Sequence, residues 1–183
     1  MEYKLTAPID IETIKKLKIG DRVILSGIIY TARDAAHERM TREYDNGTPY
    51  PINLKTAAIY YAGPCPAKPG EVIGSCGPTT AGRMDAYTPK LIKDGLRVMI
   101  GKGARNKAVL DAIKEYGAVY LGAIGGAGAL IAETIKRSEV VAYDDLGTEA
   151  IRKLEIKDLP LTVLADAFGG DLYSKEINKY NKI

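Results

Sequence analysis

A chain of 183 residues with 46% apolar and 27% charged side chains has the make-up of one globular domain, residues 1–183, able to bury a core without disulfides or a structural metal. The net charge of +3 comes from 26 basic and 23 acidic residues scattered along the chain, which excludes the concentrated basic face of a nucleic-acid binder. No apolar run approaches the roughly 20 residues that span a bilayer, and the charged start MEYKLTAPID lacks the apolar stretch of a signal peptide, so a cytoplasmic protein without membrane association is expected.

Asp10 can cap a short helix running through Leu17, with Ile11, Ile14 and Leu17 on one face. Residues 21–30 (DRVILSGIIY) are rich in branched side chains and predict a strand, 32–43 a helix, and 56–62 (TAAIYYA) a second strand. Pro64, Pro66, Pro69 and Gly70 mark a loop, after which 71–76 reads as a short strand. The second half alternates: strand 96–100, helix 106–116 ended by Gly117, strand 118–124, helix 127–137. That order predicts parallel strands with helical crossovers. Strands are expected at 140–143, 152–156 and 161–165, and a closing helix at 171–180. The early strands suit a barrel or layered β section, so the fold class is α/β with mixed β layers and flanking helices.

Four segments depart from ordinary packing sequence. Thr31 to His37 (TARDAAH) follows a strand; if helical, Arg33 and His37 share a face, although a solvated helical turn capped by Asp34 explains the same residues. Gly77 to Asp85 (GPTTAGRMD) follows another. Thr79 or Thr80 can cap a helix whose free amides suit a carboxylate, and Arg83 can bind a planar carboxylate through two parallel hydrogen bonds. The bland alternative is a capped helix start with a surface arginine. Gly101-Lys102-Gly103 lets backbone and cation approach a ligand together, but glycine-flanked lysines are also common in turns. The glycines from Gly122 to Ala129 do not match GxGxxG and suit close strand-to-helix packing. Arg33, His37, Arg83 and Lys102 each follow an apparent strand, and loops at strand carboxyl ends converge on one site in α/β proteins. Three fixed cations and two threonine hydroxyls suit a small substrate with two carboxylates. Cys65 and Cys76, eleven apart, make neither a zinc knuckle nor a disulfide framework. A [4Fe–4S] cluster takes three or four thiolates, so no metal is assigned to this chain.

In this order the stretches GDRVILSG, TARDAAHERM, IYYAGPCP, GEVIGSCGPTTAGRMDAYTP, MIGKG, GAVYLGAIGGAGAL and LGTEAIRKLEIKDLPLTVLADAFGGDLY cover most of the chain from Gly20 to Tyr173. They resemble the class I fumarate hydratase and L-tartrate dehydratase family, in its beta subunit or C-terminal domain. The resemblance implies a swivelling β/β/α domain. It implies a partner alpha subunit, or N-terminal domain, that binds a catalytic [4Fe–4S] cluster through three cysteines, with none bound here. It makes Thr79 the candidate base, helped by Arg83 and Lys102, which match carboxylate-binding positions together with Arg33. Asp34 would orient Arg33, His37 would hydrogen-bond substrate or the partner, and Thr80 would join the substrate-binding set. The expected function is the beta subunit of an iron–sulfur hydro-lyase interconverting fumarate and L-malate. An L-tartrate dehydratase beta subunit, a non-enzymatic dicarboxylate-binding module and a scaffolding domain are the alternatives. Because the sequence stops at Ile183 without a cluster domain, the split arrangement is expected: a hetero-oligomer, inactive as a single chain. An apolar patch around the cationic pocket would dock the partner and could drive self-association in isolation.

Overall fold

The computed structural model describes residues 1–180, apart from the side chains of Asn178 and Tyr180. Strands β1 (Glu2–Ala7), β2 (Arg22–Thr31), β3 (Ala58–Tyr60), β4 (Val98–Gly101) and β5 (Val119–Gly122) run parallel, each hydrogen-bonded to the next. The long β7 (Ile151–Ala165) is antiparallel to β5 and also to β2, so the circuit β2-β3-β4-β5-β7 closes on itself. Strand β6 (Ile135–Ala142) extends the sheet from the other side of β7.

The closed circuit explains why β3 and β4 are buried at every position and read as continuous apolar runs: both faces are covered. Tyr60, Ile100 and Leu121 point into one core with Val23, Leu25, Ile29, Leu161 and Val163. Their sequence neighbours Ile59, Met99 and Tyr120 point the other way. There they meet Met40 of α2 (Asp34–Asp45), Leu91 and Ile92 of α3 (Thr88–Lys93), and Val109 and Ile113 of α4 (Lys107–Tyr116). The period-2 alternation thus serves two cores at once. The result is the expected α/β class, a mixed sheet with flanking helices.

Local chemistry sets several boundaries. The Asn106 side chain accepts a hydrogen bond from Val109 N (2.9 Å) to open α4, and Gly117 closes it in the left-handed conformation (φ 67°, ψ 44°). Asp10 caps α1 (Ile11–Ile14), accepting from Thr13 N at 2.8 Å, but the helix stops short of Leu17.

Tertiary pairing redraws others. β1 was not expected from the polar EYKLTA; its pairing with β2 supplies the order that its side chains do not. The strand expected over 71–76 is irregular, because Cys65 N donates to Ser75 O (2.9 Å) and Gly74 N to Cys65 O (3.2 Å), folding the segment back on its own proline loop. The helix expected to Arg137 is α5 (Gly128–Thr134), and Ile135 turns into the core as the first residue of β6. The two strands expected at 152–156 and 161–165 are one, continuous through Asp158, whose φ of 57° lets its N–H reach Ser26 Oγ at 3.0 Å. The short α3, with a proline in its first turn, is not among the expected elements. The closing helix is α6 (Leu172–Tyr180). No described helix is long and apolar enough to cross a membrane.

Candidate functional site

Parallel strands deliver their following loops to one edge of the sheet: residues 32–33 after β2, 61–63 after β3, 102–105 after β4 and 123–127 after β5. A fifth segment is stitched into this edge by backbone hydrogen bonds. Thr79 N donates to Tyr61 O (2.7 Å), Lys102 N to Thr79 O (3.3 Å) and Ala81 N to Lys102 O (2.8 Å), and Thr80 bridges Lys102 in parallel register. Thr79 therefore sits between the ends of β3 and β4. Its hydroxyl donates to Tyr61 O at 3.0 Å rather than capping a helix, and Thr80 caps nothing either. The expected helix is a four-residue 3₁₀ turn, Ala81–Met84, which carries the exposed Arg83. The Lys102 side chain runs past Gly125, where an added Cβ would lie 3.6 Å from Nζ. Neither Arg83 nor Lys102 has an ion pair or side-chain hydrogen bond among the described residues.

Arg33 differs from these two. Its guanidinium is four-fifths buried and paired with Glu149 Oε1 at 3.1 Å and, more distantly, with Asp34 Oδ1 at 3.5 Å. It lies against Gly63, where a Cβ would come within 3.0 Å of Cδ and Nη1, so a side chain there would have to displace the guanidinium arm. The second oxygen of Glu149 accepts from Ala35 N (3.1 Å), tying the β6–β7 connection to the start of α2. Arg33 Nε is buried without a partner. Glu149, closer than Asp34, does most to orient Arg33, and nothing in the sequence marks it beyond its place in LGTEAIRKL.

His37 is fully buried, edge-on to Tyr61 (ring centroids 5.4 Å apart) and tilted against Tyr87. Nδ1 lies 2.8 Å from Arg33 O, which can only accept, so Nδ1 carries the proton; Nε2 is buried with no partner. Burial lowers the imidazole pKa from 6.5 to about 4, against the pull of the Arg33 carbonyl. The unfolded ring protonates near 6.5, so stability is intact above that pH and falls as pH drops from about 6.5 through about 4. At 1.36 kcal/mol per unit the loss is about 3 kcal/mol. His37→Gln, compared with wild type by urea unfolding across this window, is expected to lack that fall; parallel profiles would show that another group carries it.

Beneath the edge lies a buried polar cluster that sequence reasoning missed. Arg105, its side chain wholly buried, donates from Nε to Asp85 Oδ1 (2.7 Å), from Nη1 to Tyr61 Oη (3.2 Å) and from Nη2 to Thr88 Oγ1 (2.8 Å). Its guanidinium faces the rings of Tyr61 and Tyr120 at 5.2 and 5.0 Å. Asp85 Oδ2 accepts from Asn106 N (2.7 Å). Gly103 is held at both backbone atoms: Tyr120 Oη donates to its carbonyl (3.1 Å) and its N–H donates to Tyr173 Oη (3.2 Å). An arginine just ahead of a helix cap reads from sequence as surface; the signals were Asp85 closing GRMD and the tyrosines standing in strands.

The glycine-rich stretch packs its helix against a loop rather than a strand: a Cβ on Gly128 would collide with Ser75 Oγ and come within 3.0 Å of Gly77 N, in the irregular segment. One concavity of about 550 Å³ lies away from the cationic edge, between Cys65, Val72, Ala132 and Glu133. At the edge itself Arg83 is exposed, and Thr79 and Lys102 are half-buried. Cys65 is exposed; Cys76 is buried, its thiol pKa pushed up to about 12 by desolvation. No three His, Cys, Asp or Glu side chains cluster as a metal site among the described residues, so these residues do not fit a cluster.

Fumarate hydratase 2 of Leishmania major is 42% identical over 97% of this chain, which spans 32% of that protein. The aerobic class I fumarate hydratase of Escherichia coli K12 is 42% identical over 88% of the chain and 30% of its own length. The chain thus spans about a third of these relatives. A protein of Methanocaldococcus jannaschii named putative L(+)-tartrate dehydratase subunit beta is 40% identical over the whole chain and 97% of its own length. The family model described as Fumarase C-terminus matches residues 1–176, so the strands, the stitched Thr79 segment and the cationic edge all fall inside the match, and the chain belongs to that family.

Proposed function

We propose that this chain is the dicarboxylate-holding part of a hydro-lyase that interconverts fumarate and L-malate. The observation that carries the proposal is the convergence of Thr79, Arg83 and Lys102 on one edge, with both cations unpaired among the described residues. Unpaired cations in fixed loops suit the two carboxylates, each through charge-assisted hydrogen bonds. Arg33, neutralised at rest by Glu149 and Asp34, keeps an unused Nε and bounds the site on the β2 side. Thr79 is the proton-transfer candidate. As placed it is protonated and donates to Tyr61 O, so acting as a base requires that hydrogen bond to break while neighbouring cations stabilise the alkoxide.

We further propose that the missing part is a cluster-bearing partner chain. The M. jannaschii relative, matched nearly end to end, is named a subunit, and the fumarate hydratases continue well beyond the matched third. In the partner a [4Fe–4S] cluster with an open iron would act as Lewis acid on the substrate hydroxyl. The open cationic surface, with Ile124 exposed beside it, is suited to being covered. A second reading, L-tartrate dehydration, is favoured by that same end-to-end match. The substrates differ by a hydroxyl, which pocket contacts of the assembled enzyme discriminate. The test is an anaerobic assay with fumarate, malate and tartrate on the chain alone and mixed with its partner. Activity in the mixture only is expected, and the preferred substrate names the reaction. Turnover by the isolated chain, or none by a verified complex with intact cluster, overturns the reading.

A further inference from the structure

Three loops must hold register for Thr79, Arg83 and Lys102 to act together, and each is anchored to one buried group. Thr79 is bonded, through backbone and hydroxyl alike, to the carbonyl of Tyr61, whose own hydroxyl accepts from Arg105 Nη1. Arg83 rides on the 3₁₀ turn whose following residue, Asp85, accepts from Arg105 Nε. Lys102 and Gly103 begin the loop that ends at Arg105, and Tyr120, whose hydroxyl holds the Gly103 carbonyl, stacks its ring over the guanidinium. Thr88, at the start of α3, takes the remaining hydrogen bond. Arg105 thus bonds to both Tyr61 and Asp85 from the end of the Lys102 loop.

We propose that Arg105 is a positioning residue: its planar fork locks the Tyr61, Asp85 and Lys102–Gly103 segments into one rigid unit and so fixes the three side chains at the edge. Rigid fixing matters because a displacement of about 1 Å in a reacting group can cost about a hundredfold in rate. A lysine cannot reproduce the lock, since one ammonium cannot present the fork that meets Asp85, Tyr61 and Thr88 together. The kinetic half of this inference rests on the hydro-lyase reading; the structural half does not.

The experiment uses Arg105→Lys and, should that chain fold poorly, Tyr61→Phe, which removes one acceptor and keeps the ring. Amide hydrogen exchange of the full chain is expected to speed up at least tenfold at residues 79–84 and 102–103, with β2 and β7 unchanged. In the assembled enzyme kcat should fall about a hundredfold, and KM should rise with it because Arg83 and Lys102 sit on the loosened segments and hold the carboxylates. Unchanged exchange at the two segments, or uniform acceleration with a lowered Tm, overturns the proposal and leaves Arg105 a core ion pair. Locally faster exchange in a chain whose wild-type complex turns over none of the dicarboxylates upholds the lock and sinks the hydro-lyase reading instead.

Discussion

Thr79→Ala, assembled with the cluster-bearing partner, is expected to slow turnover by about 10²–10⁴-fold, the range for a lost general acid–base group. Its effect on folding should be small. The hydroxyl contributes one hydrogen bond to Tyr61 O, worth about 1 kcal/mol, and the stronger link to that carbonyl, from Thr79 N at 2.7 Å, survives the substitution. Activity and stability therefore separate at this residue. Thr79→Ser keeps a hydroxyl on the same backbone and should retain most of the rate. If serine and alanine are equally slow in steady-state kinetics, the hydroxyl is not the proton carrier and the methyl packing is what matters.

Asp85→Ala should cost about 3–5 kcal/mol of stability in urea unfolding, because it leaves a buried guanidinium without its counter-ion. The backbone N–H of Asn106 also loses its acceptor just where α4 begins. Distance is not what sets this magnitude. Lys107 and Asp111 approach to 2.6 Å, slightly closer than the 2.7 Å of Arg105 and Asp85, yet their side chains are 87% and 60% exposed. Solvent screening and side-chain entropy hold such a pair to about 0–1 kcal/mol. Asp111→Ala is the matched control, and similar losses from the two substitutions would mean that the Arg105 charge finds water or another partner.

The two sites differ in how far local sequence marks them. Thr79, Arg83 and Lys102 stand in glycine-flanked loops after strand-like runs, and such loops have little reason to keep cations for packing. The alternation through residues 96–137 carried the parallel strands and their crossovers, because helix and strand periods are local properties of the chain. Cap chemistry at Asp10 and Gly117 was legible for the same reason. Expectations broke where a distant partner decides. β1, the early end of α5 and the fusion of two short strands into β7 all depend on hydrogen bonds to residues far along the chain.

The site divides along the same line. Residue types at strand ends determined that this protein carries a cationic, hydroxyl-bearing edge, since that follows from order along the chain. Tertiary structure alone decided the condition of each group: Arg33 neutralised by Glu149 from 116 positions away, His37 sealed beneath Tyr61, Arg83 and Lys102 without a partner among the described residues. It also decided that Arg105 is the buried anchor rather than a surface charge. Burial and pairing depend on what the closed sheet brings into contact, and those contacts have no local signature.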